Sequence, residues 1–189
     1  MSDFELCQAV SEGDNSAFEE LLDRYKNLVY SVVLRMVNCP QDADDQAQEI
    51  FIKIYKNAGK YSDEFKFSTW AMRIATNHII DFRRKNKLAQ VTDGLDTEVV
   101  ANIKDDAKGP EEAAIAKEQT TNLHNAMQAL PDMYRLPIVM YHLQGLSYQE
   151  IAECVNEPMS KVKNRMARAR KMLKEELLKM QRGGAAHGM

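Results

Sequence analysis

Apolar and polar positions alternate along most of this chain with the period of an α-helix. Between residues 14 and 58, apolar residues recur at intervals of three and four, as one buried helix face requires. The tripeptide Asn38-Cys39-Pro40 interrupts this pattern, and a second helix is expected to begin at residues 41–42. No segment of useful length alternates with a period of two. The pattern therefore predicts an all-α fold.

A polar loop is expected at 59–66, followed by a helix from about Ser68 to Lys87. Beyond it the character of the chain changes. Residues 88–110 are polar, lack helical periodicity over most of their length and end in a Gly-Pro pair, which is typical of a linker. Helical periodicity then returns at Glu111.

These boundaries predict two small helical domains joined by a flexible linker. We place the first domain at 1–87, the linker at 88–110 and the second domain at 111–182. Residues 183–189 are mostly glycine and alanine and are expected to form a disordered tail.

Charge is concentrated locally, although the net charge is only −3. Residues 73–90 carry five basic residues and one acidic residue, and residues 160–189 carry nine basic and two acidic. Residues 1–49 carry eleven acidic and three basic residues. Such a chain can bind a polyanion at two places but would not coat nucleic acid along its whole surface.

Composition excludes several classes of protein. Apolar runs such as Leu28–Leu34 are far shorter than the ~20 residues needed to cross a bilayer, so no membrane insertion is expected. The acidic N-terminus does not resemble a signal peptide, which predicts a cytoplasmic protein. The three cysteines and four histidines lack metal-ligand spacing, so we expect no metal site and no cofactor. No nucleophile, acid–base pair or phosphate loop is recognisable, and we predict that the protein is not an enzyme.

A helix-turn-helix near the C-terminus is the most specific local signal. In Ser147-Tyr148-Gln149-Glu150, the serine and the glutamate form a capping box that satisfies the first N–H groups of a helix. Asn156-Glu157-Pro158 ends that helix, and Ser160 is expected to cap the next.

The second helix of this motif has a core stripe and a basic outward face. The core stripe comprises Val162, Met166, Ala169, Leu173, Leu177 and Met180. The opposite face comprises Lys161, Asn164, Ala167, Arg168 and Lys171, flanked by Lys163, Arg165, Arg170 and Lys174. In a DNA major groove, the first turns of this helix would touch base edges. A solvated charged helix is the alternative, but two acidic residues cannot pair with nine basic ones.

Several motifs in one order resemble a known family. Residues 42–55 and 65–85, Leu130-Pro131 and the helix-turn-helix resemble bacterial sigma factors of the extracytoplasmic function (ECF) group over about residues 15–180. The resemblance implies that 1–87 is sigma region 2, that 111–182 is region 4, and that the protein directs RNA polymerase to promoters.

The resemblance also implies a surface for core RNA polymerase, which would be bound through a coiled coil of its largest subunit and through its flap. On the 42–56 helix, the residues opposite the apolar face are Asp44, Asp45, Gln48, Glu49, Ile52 and Lys53. The candidates for the polymerase surface are Asp45, Gln48, Glu49 and Ile52. Ile52 is apolar on a polar face, which indicates a partner surface. The residues alone leave a solvated acidic helix as the alternative.

Promoter DNA would be bound at two elements. Aromatic side chains at the 59–67 loop suit a surface that holds an unstacked base, and the basic residues after it suit phosphates. The candidates for the −10 element are Tyr61, Phe65, Phe67, Trp70, Arg73, Asn77, Arg83, Arg84 and Lys85. The candidates for the −35 element are Lys161, Lys163, Asn164, Arg165, Arg168 and Lys171. Trp70 considered alone fits a core position better than a base contact.

The function predicted is that of an alternative sigma factor that recognises −10 and −35 elements and helps to open the duplex. Most relatives have an anti-sigma factor, which is the further partner implied. One rival is a helix-turn-helix regulator that binds DNA alone, and another is an antagonist that mimics a sigma factor. The aromatic loop speaks against the first rival and the basic helix against the second.

Overall fold

The computed structural model describes residues 1–93 and 121–185, with side chains described for 1–86 and 121–180. Every regular element in these ranges is helical. The N-terminal half contains α1 (Asp3–Ser11), α2 (Asn15–Val37), α3 (Pro40–Asn57), a one-turn 3-10 helix (Ala58–Lys60) and α4 (Phe67–Asp93). The C-terminal half contains α5 at 121–128, α6 (Asp132–Gln144), α7 (Tyr148–Val155) and α8 (Met159–Ala185). The predicted all-α fold is confirmed.

The break between α2 and α3 lies where the sequence predicts it. Asn38 ends α2 in the left-handed conformation, with a φ of 60°. Pro40 is the first residue of α3, slightly before the predicted start, because proline is well suited to the first helical position, where no N–H partner is needed.

Helix α1 was not predicted from the sequence. The Ser2 hydroxyl accepts the Glu5 N–H, and the Glu5 carboxylate accepts the Ser2 N–H, which completes a capping box. Leu6, Cys7 and Val10 form its buried face. The Ser-x-x-Glu spacing before these residues is the signal that would have identified it.

Two predicted boundaries differ from the structure. Helix α4 continues to Asp93, six residues into the predicted linker, because no proline or glycine interrupts the sequence before Gly94. Helix α8 continues to Ala185, so 183–185 are helical rather than part of a disordered tail. Two glycines weaken a helix without ending it. The remainder of the predicted linker, the start of the predicted second domain at 111–120, and 186–189 lie outside the described residues.

The core of the N-terminal half forms where α2 packs against α3 and α4. Ile50 and Ile54 of α3 are fully buried, as their spacing predicts. Tyr55, the next apolar residue of this helix, lies at the edge of the core with 38% of its surface exposed. Its ring packs against Phe18 with centroids 5.0 Å apart.

The helix-turn-helix of the C-terminal half has the predicted cap. The Ser147 hydroxyl accepts the Glu150 N–H at 3.2 Å, and the Ser147 N–H donates to Glu150 Oε2 at 2.8 Å. Asn156 ends α7 in the left-handed conformation, with a φ of 52°. Helix α8 then begins at Met159, directly after Pro158, so Ser160 is inside the helix and is not its cap.

The two halves are packed against each other, which the sequence did not predict. Helix α7 packs along α4, and α6 packs against α2. The buried apolar side chains of both halves form one continuous cluster. Within 1–93 and 121–185, no helix is long and apolar enough to cross a membrane.

Candidate nucleic-acid interface

The N-terminal turns of α8 expose a basic surface over a buried seam. Val162, Met166 and Ala169 are fully buried, as predicted. The outward residues exposed to solvent are Lys161, Lys163, Asn164, Ala167, Arg168 and Lys171. Lys161 lies 3.4 Å from Glu157, and Lys171 lies 4.0 Å from Glu175. Such exposed pairs are weak and leave the ammonium groups available to phosphates.

Arg165 is placed differently from the other −35 candidates. Its two terminal nitrogens bind both carboxylate oxygens of Glu157, at 2.7 and 2.8 Å, and the side chain is largely buried. A bidentate pair of this kind fixes the geometry of the guanidinium. Arg165 therefore joins α8 to the preceding turn in this structure and does not point outward with Arg168.

The aromatic residues around the 62–66 loop differ in exposure: one ring is exposed and two are buried. Phe65 exposes 48% of its surface. Tyr61 and Phe67 are buried, with ring centroids 5.4 Å apart in an edge-to-face arrangement. The Tyr61 hydroxyl donates to the Phe65 carbonyl at 2.8 Å. Of the three aromatic candidates at this loop, only Phe65 is exposed.

Helix α4 carries three further −10 candidates along its first turns. Trp70 is half-buried, and its ring lies 5.4 Å from that of Tyr61 and 5.5 Å from that of Phe67. Arg73 and Asn77 are exposed and lie one and two turns further along. These three side chains share one face of the helix with the Phe65 loop at its start.

The basic residues further along α4 are not equivalent. Arg84 and Lys85 are exposed, and Arg84 pairs with Asp81 at 3.1 Å. Arg83 is turned toward the C-terminal half, where its Nε lies 2.9 Å from Asp132 Oδ2. In this arrangement Arg83 is occupied within the protein.

The outward face of α3 has the predicted composition. Its exposed residues include Asp45, Gln48, Glu49 and Ile52. Ile52 exposes 44% of its surface, and the partly exposed Tyr55 lies one turn after it. The face therefore combines carboxylates with an apolar centre, a composition suited to a protein partner.

Comparison with known proteins identifies the family. Residues 21–88 match the family "Sigma-70 region 2", and residues 120–173 match "Sigma-70, region 4". The ECF RNA polymerase sigma factor SigW of Bacillus subtilis is 38% identical over 175 residues, covering 89% of this chain and 92% of SigW. The chain belongs to the ECF sigma factors. The resemblance inferred from the motifs is confirmed.

Other relatives align with this sigma factor over nearly its whole length. The ECF sigma-E factor of Escherichia coli is 30% identical, covering 92% of this chain and 93% of the relative. A solved structure of RpoE from Bartonella quintana, in complex with the anti-sigma factor NepR, has a TM-score of 0.70 at 21% identity, covering 86% and 96% of the two chains. CnrH, solved with the cytosolic domain of CnrY, has a TM-score of 0.67 at 20% identity, covering 93% and 96%. These two structures share the fold.

As a member of this family, the protein is an alternative sigma factor. It binds core RNA polymerase and promoter DNA and directs transcription initiation. Sigma factors are in general not enzymes. Among the described residues, no three His, Cys, Asp or Glu side chains are grouped to hold a metal ion. Burial raises the pKa of the Cys7 and Cys154 thiols to about 12, which leaves both protonated near neutral pH.

Sequence reasoning missed the polar residues of the sigma factor that join its halves. Arg135 and His124 are both buried and contact the end of α2. A lone arginine in an apolar helix, as in Leu-Pro-Asp-Met-Tyr-Arg-Leu-Pro, was the available signal. One partner of Arg135 is the Met36 carbonyl, 99 residues away in sequence, which no local pattern reveals.

Proposed function

We propose that the two halves of this sigma factor have the roles of regions 2 and 4. Region 2 comprises 1–87, and region 4 comprises 111–182, with 88–110 between them. The matches at 21–88 and 120–173 support these boundaries. In this proposal α3 binds core polymerase, α4 and the 62–66 loop recognise the −10 element, and the first turns of α8 read the −35 element.

The exposed basic face at the start of α8 is the observation that supports DNA recognition most directly. Lys163 and Asn164 project from one turn and Arg168 from the next, and the helix is held from behind by fully buried Val162 and Met166. A rigid helix with arginine and asparagine at its outward N-terminal turns fits a major groove, where these side chains recognise guanine and adenine.

Three further attributes are proposed by analogy with the family. An anti-sigma factor is a proposed partner, because the solved structure of RpoE from Bartonella quintana contains one. The proposed location is the cytoplasm, where the related sigma factors act on RNA polymerase. We also propose that the protein has no catalytic activity of its own.

Reconstituted transcription tests the function. Purified protein and core RNA polymerase are mixed with a genomic library of promoter fragments, and transcript start sites are mapped. We expect transcripts that begin downstream of shared −35 and −10 sequences and that require both components. Specific DNA binding without core enzyme, and no transcripts with it, would favour a regulator that acts alone.

Replacing Phe65 with alanine should slow strand opening about tenfold, because one exposed stacking surface is lost at ~1–3 kcal/mol per base. Binding to closed duplex should change little. Permanganate reactivity of the −10 thymines measures the opening. A template with a pre-melted bubble should restore most of the activity, and an equal defect on that template would contradict a role in melting. Phe67 is unsuitable for this test, since it is buried and its loss would leave a cavity.

Replacing Tyr61 with phenylalanine should reduce opening about fivefold while the fold is retained. The ring stays in the core, but the 2.8 Å hydrogen bond that holds the Phe65 carbonyl is lost, at a net cost of ~0.5–1.5 kcal/mol. Opening rates of single and double variants at Tyr61 and Phe65 form a double-mutant cycle. If the two effects add fully, Tyr61 does not act by positioning Phe65.

A further inference from the structure

The 62–66 loop is positioned mainly by the residues at its two ends, because its own five side chains are exposed. Tyr61 precedes the loop and Phe67 follows it, and both rings are buried. Their edge-to-face contact, with centroids 5.4 Å apart, joins the two ends. The exposed Lys66 pairs with Glu150 at 3.2 Å, a type of contact that contributes little to stability. The position of the loop therefore depends on what holds the two buried rings.

Tyr25 of α2 connects these rings to helix α1. Its ring centroid lies 4.6 Å from that of Phe67. Its hydroxyl donates to Asp3 Oδ2 at 2.5 Å, and Arg24 Nη1 donates to Asp3 Oδ1 at 2.8 Å. Burial, followed by the hydrogen bond to Asp3, raises the pKa of Tyr25, so its hydroxyl remains a donor at neutral pH. A hydrogen bond to a carboxylate is strong, so Asp3 fixes the Tyr25 ring against Phe67.

Helix α1 also contacts the segment that leads into the loop. The Phe4 ring lies 6.4 Å from the Tyr61 ring. At the other end of α1, Ser11 packs so closely on the 3-10 helix that a Cβ at Gly59 would lie 3.2 Å from the Ser11 Cβ. The absence of a side chain at Gly59 permits this approach. Helix α1 therefore reaches one end of the loop directly and the other end through Tyr25.

The contacts that start at α1 end at the exposed aromatic ring. The Tyr61 hydroxyl donates to the Phe65 carbonyl at 2.8 Å. We call Asp3, Tyr25, Phe67 and Tyr61 the loop support. Tyr61 and Phe67 are buried, and Asp3 carries a charge that DNA phosphates repel. The loop support can therefore act on DNA through Phe65 rather than by direct contact.

Positioning of the loop matters because strand opening requires a stacking surface that is in place. A base that leaves the duplex stacks on an exposed ring only when that ring is within reach and correctly oriented. A loop that is already ordered loses less conformational entropy when it captures the base, so capture is more favourable. Loosening the loop support would therefore weaken capture without removing the stacking ring of Phe65.

We propose that α1 positions the 62–66 loop for strand opening, and that it does so through the hydrogen bond between Asp3 and Tyr25. Both are positioning residues, because they hold the loop in the shape in which Phe65 can stack on an unpaired base. The proposal rests on the function proposed above for the 62–66 loop. Helix α1 ends before residue 21, where the match to region 2 begins, so the inference extends this function to a segment outside that match.

The single tryptophan of the chain reports on the loop support in the absence of any partner. Trp70 is half-buried, and its ring lies 5.4 Å from that of Tyr61 and 5.5 Å from that of Phe67. Tyr25→Phe and Asp3→Asn should each increase acrylamide quenching of Trp70 in the free full chain at least about 1.5-fold, because the rings around it loosen locally. Both substitutions keep the size of the side chain, and circular dichroism verifies that the variants are folded.

Asp23→Asn is the matched control for the quenching experiment, because it removes a carboxylate that pairs with Lys26 at 2.6 Å within α2. It should leave the quenching of Trp70 unchanged. The double variant at Asp3 and Tyr25 should be quenched no more than the stronger single variant, because both substitutions remove the same hydrogen bond. Quenching at the wild-type level in both folded single variants would overturn the proposal.

Strand opening with core RNA polymerase tests whether the loop support affects DNA. Tyr25→Phe should slow opening about fivefold, measured by permanganate reactivity of the −10 thymines, while the affinity for core enzyme is unchanged. In a Phe65→Ala background, Tyr25→Phe should have little further effect, since the ring that it positions is absent. A general loss of stability would instead slow opening equally in both backgrounds. Fully additive effects, or opening at the wild-type rate by Tyr25→Phe, would refute the positioning role.

The outcomes separate this inference from the proposed function, because quenching of Trp70 requires neither polymerase nor promoter. If the wild type gives promoter-specific transcripts but the variants match it in quenching or in opening, only this inference is wrong. If the quenching changes as expected but the wild type gives no promoter-specific transcript, the proposed function fails, and the role of α1 in strand opening fails with it.

Discussion

Replacing Ile52 with aspartate should weaken binding to core RNA polymerase by about a hundredfold or more. Ile52 is the apolar centre of the outward face of α3, with Asp45, Gln48 and Glu49 around it. A carboxylate there would be buried without a partner beside two existing acidic groups, and central interface positions contribute most to affinity. Fluorescence anisotropy of labelled protein titrated with core enzyme measures the change.

Ile80→Asp is the control for Ile52→Asp, because Ile80 on α4 is a surface isoleucine of nearly the same exposure, 43% against 44%. It should leave the affinity for core enzyme within about twofold of the wild-type value, since surface substitutions outside an interface cost little.

Charge reversal at Asp45 and Glu49 should weaken binding to core enzyme in a salt-dependent way. Unchanged affinity of a folded Ile52→Asp variant would exclude this face as the polymerase surface.

Replacing Arg168 with alanine should weaken binding to the preferred −35 element by ~1–3 kcal/mol, or about 5- to 150-fold. Arg168 is exposed on the outward face of α8, where a bidentate contact to guanine is possible. On a −35 element in which the contacted base pair has been changed, Arg168→Ala should cause a smaller loss of affinity. Lys171→Ala should instead weaken binding to all DNA sequences alike, because a phosphate contact carries no sequence information. It should also reduce, by about one, the slope of log affinity against log salt concentration.

Arg170→Ala is a suitable control for the −35 experiment. The Arg170 guanidinium lies 5.4 Å from the Tyr141 ring centroid, so its charge is partly engaged within the protein. Its removal should affect specificity less than Arg168→Ala does. Arg165→Ala should act through the fold, because the bidentate pair with Glu157 is lost. If Arg168 and Lys171 variants lose affinity equally on every −35 variant, the division into base and phosphate contacts is wrong.

The sequence by itself determined the features that depend on neighbours along the chain. Helical periodicity located the buried faces of α2, α3 and the first half of α8, because residues three and four apart share a helix face. The Ser147–Glu150 capping box and the break at Pro40 were equally visible, since each acts within one turn. Motif order also identified the family.

Only the tertiary structure decided which candidate side chains are free to bind DNA. Tyr61 and Phe67 are aromatic residues at the same loop as Phe65, but they are buried. Arg165 carries the same charge as Arg168, but it pairs with Glu157. Arg83 is drawn to Asp132, a residue 49 positions away in sequence. These outcomes depend on contacts between elements distant along the chain, whose geometry is set by how whole helices pack. Local periodicity shows which face of a helix is apolar, but not which partner meets its charged side chains.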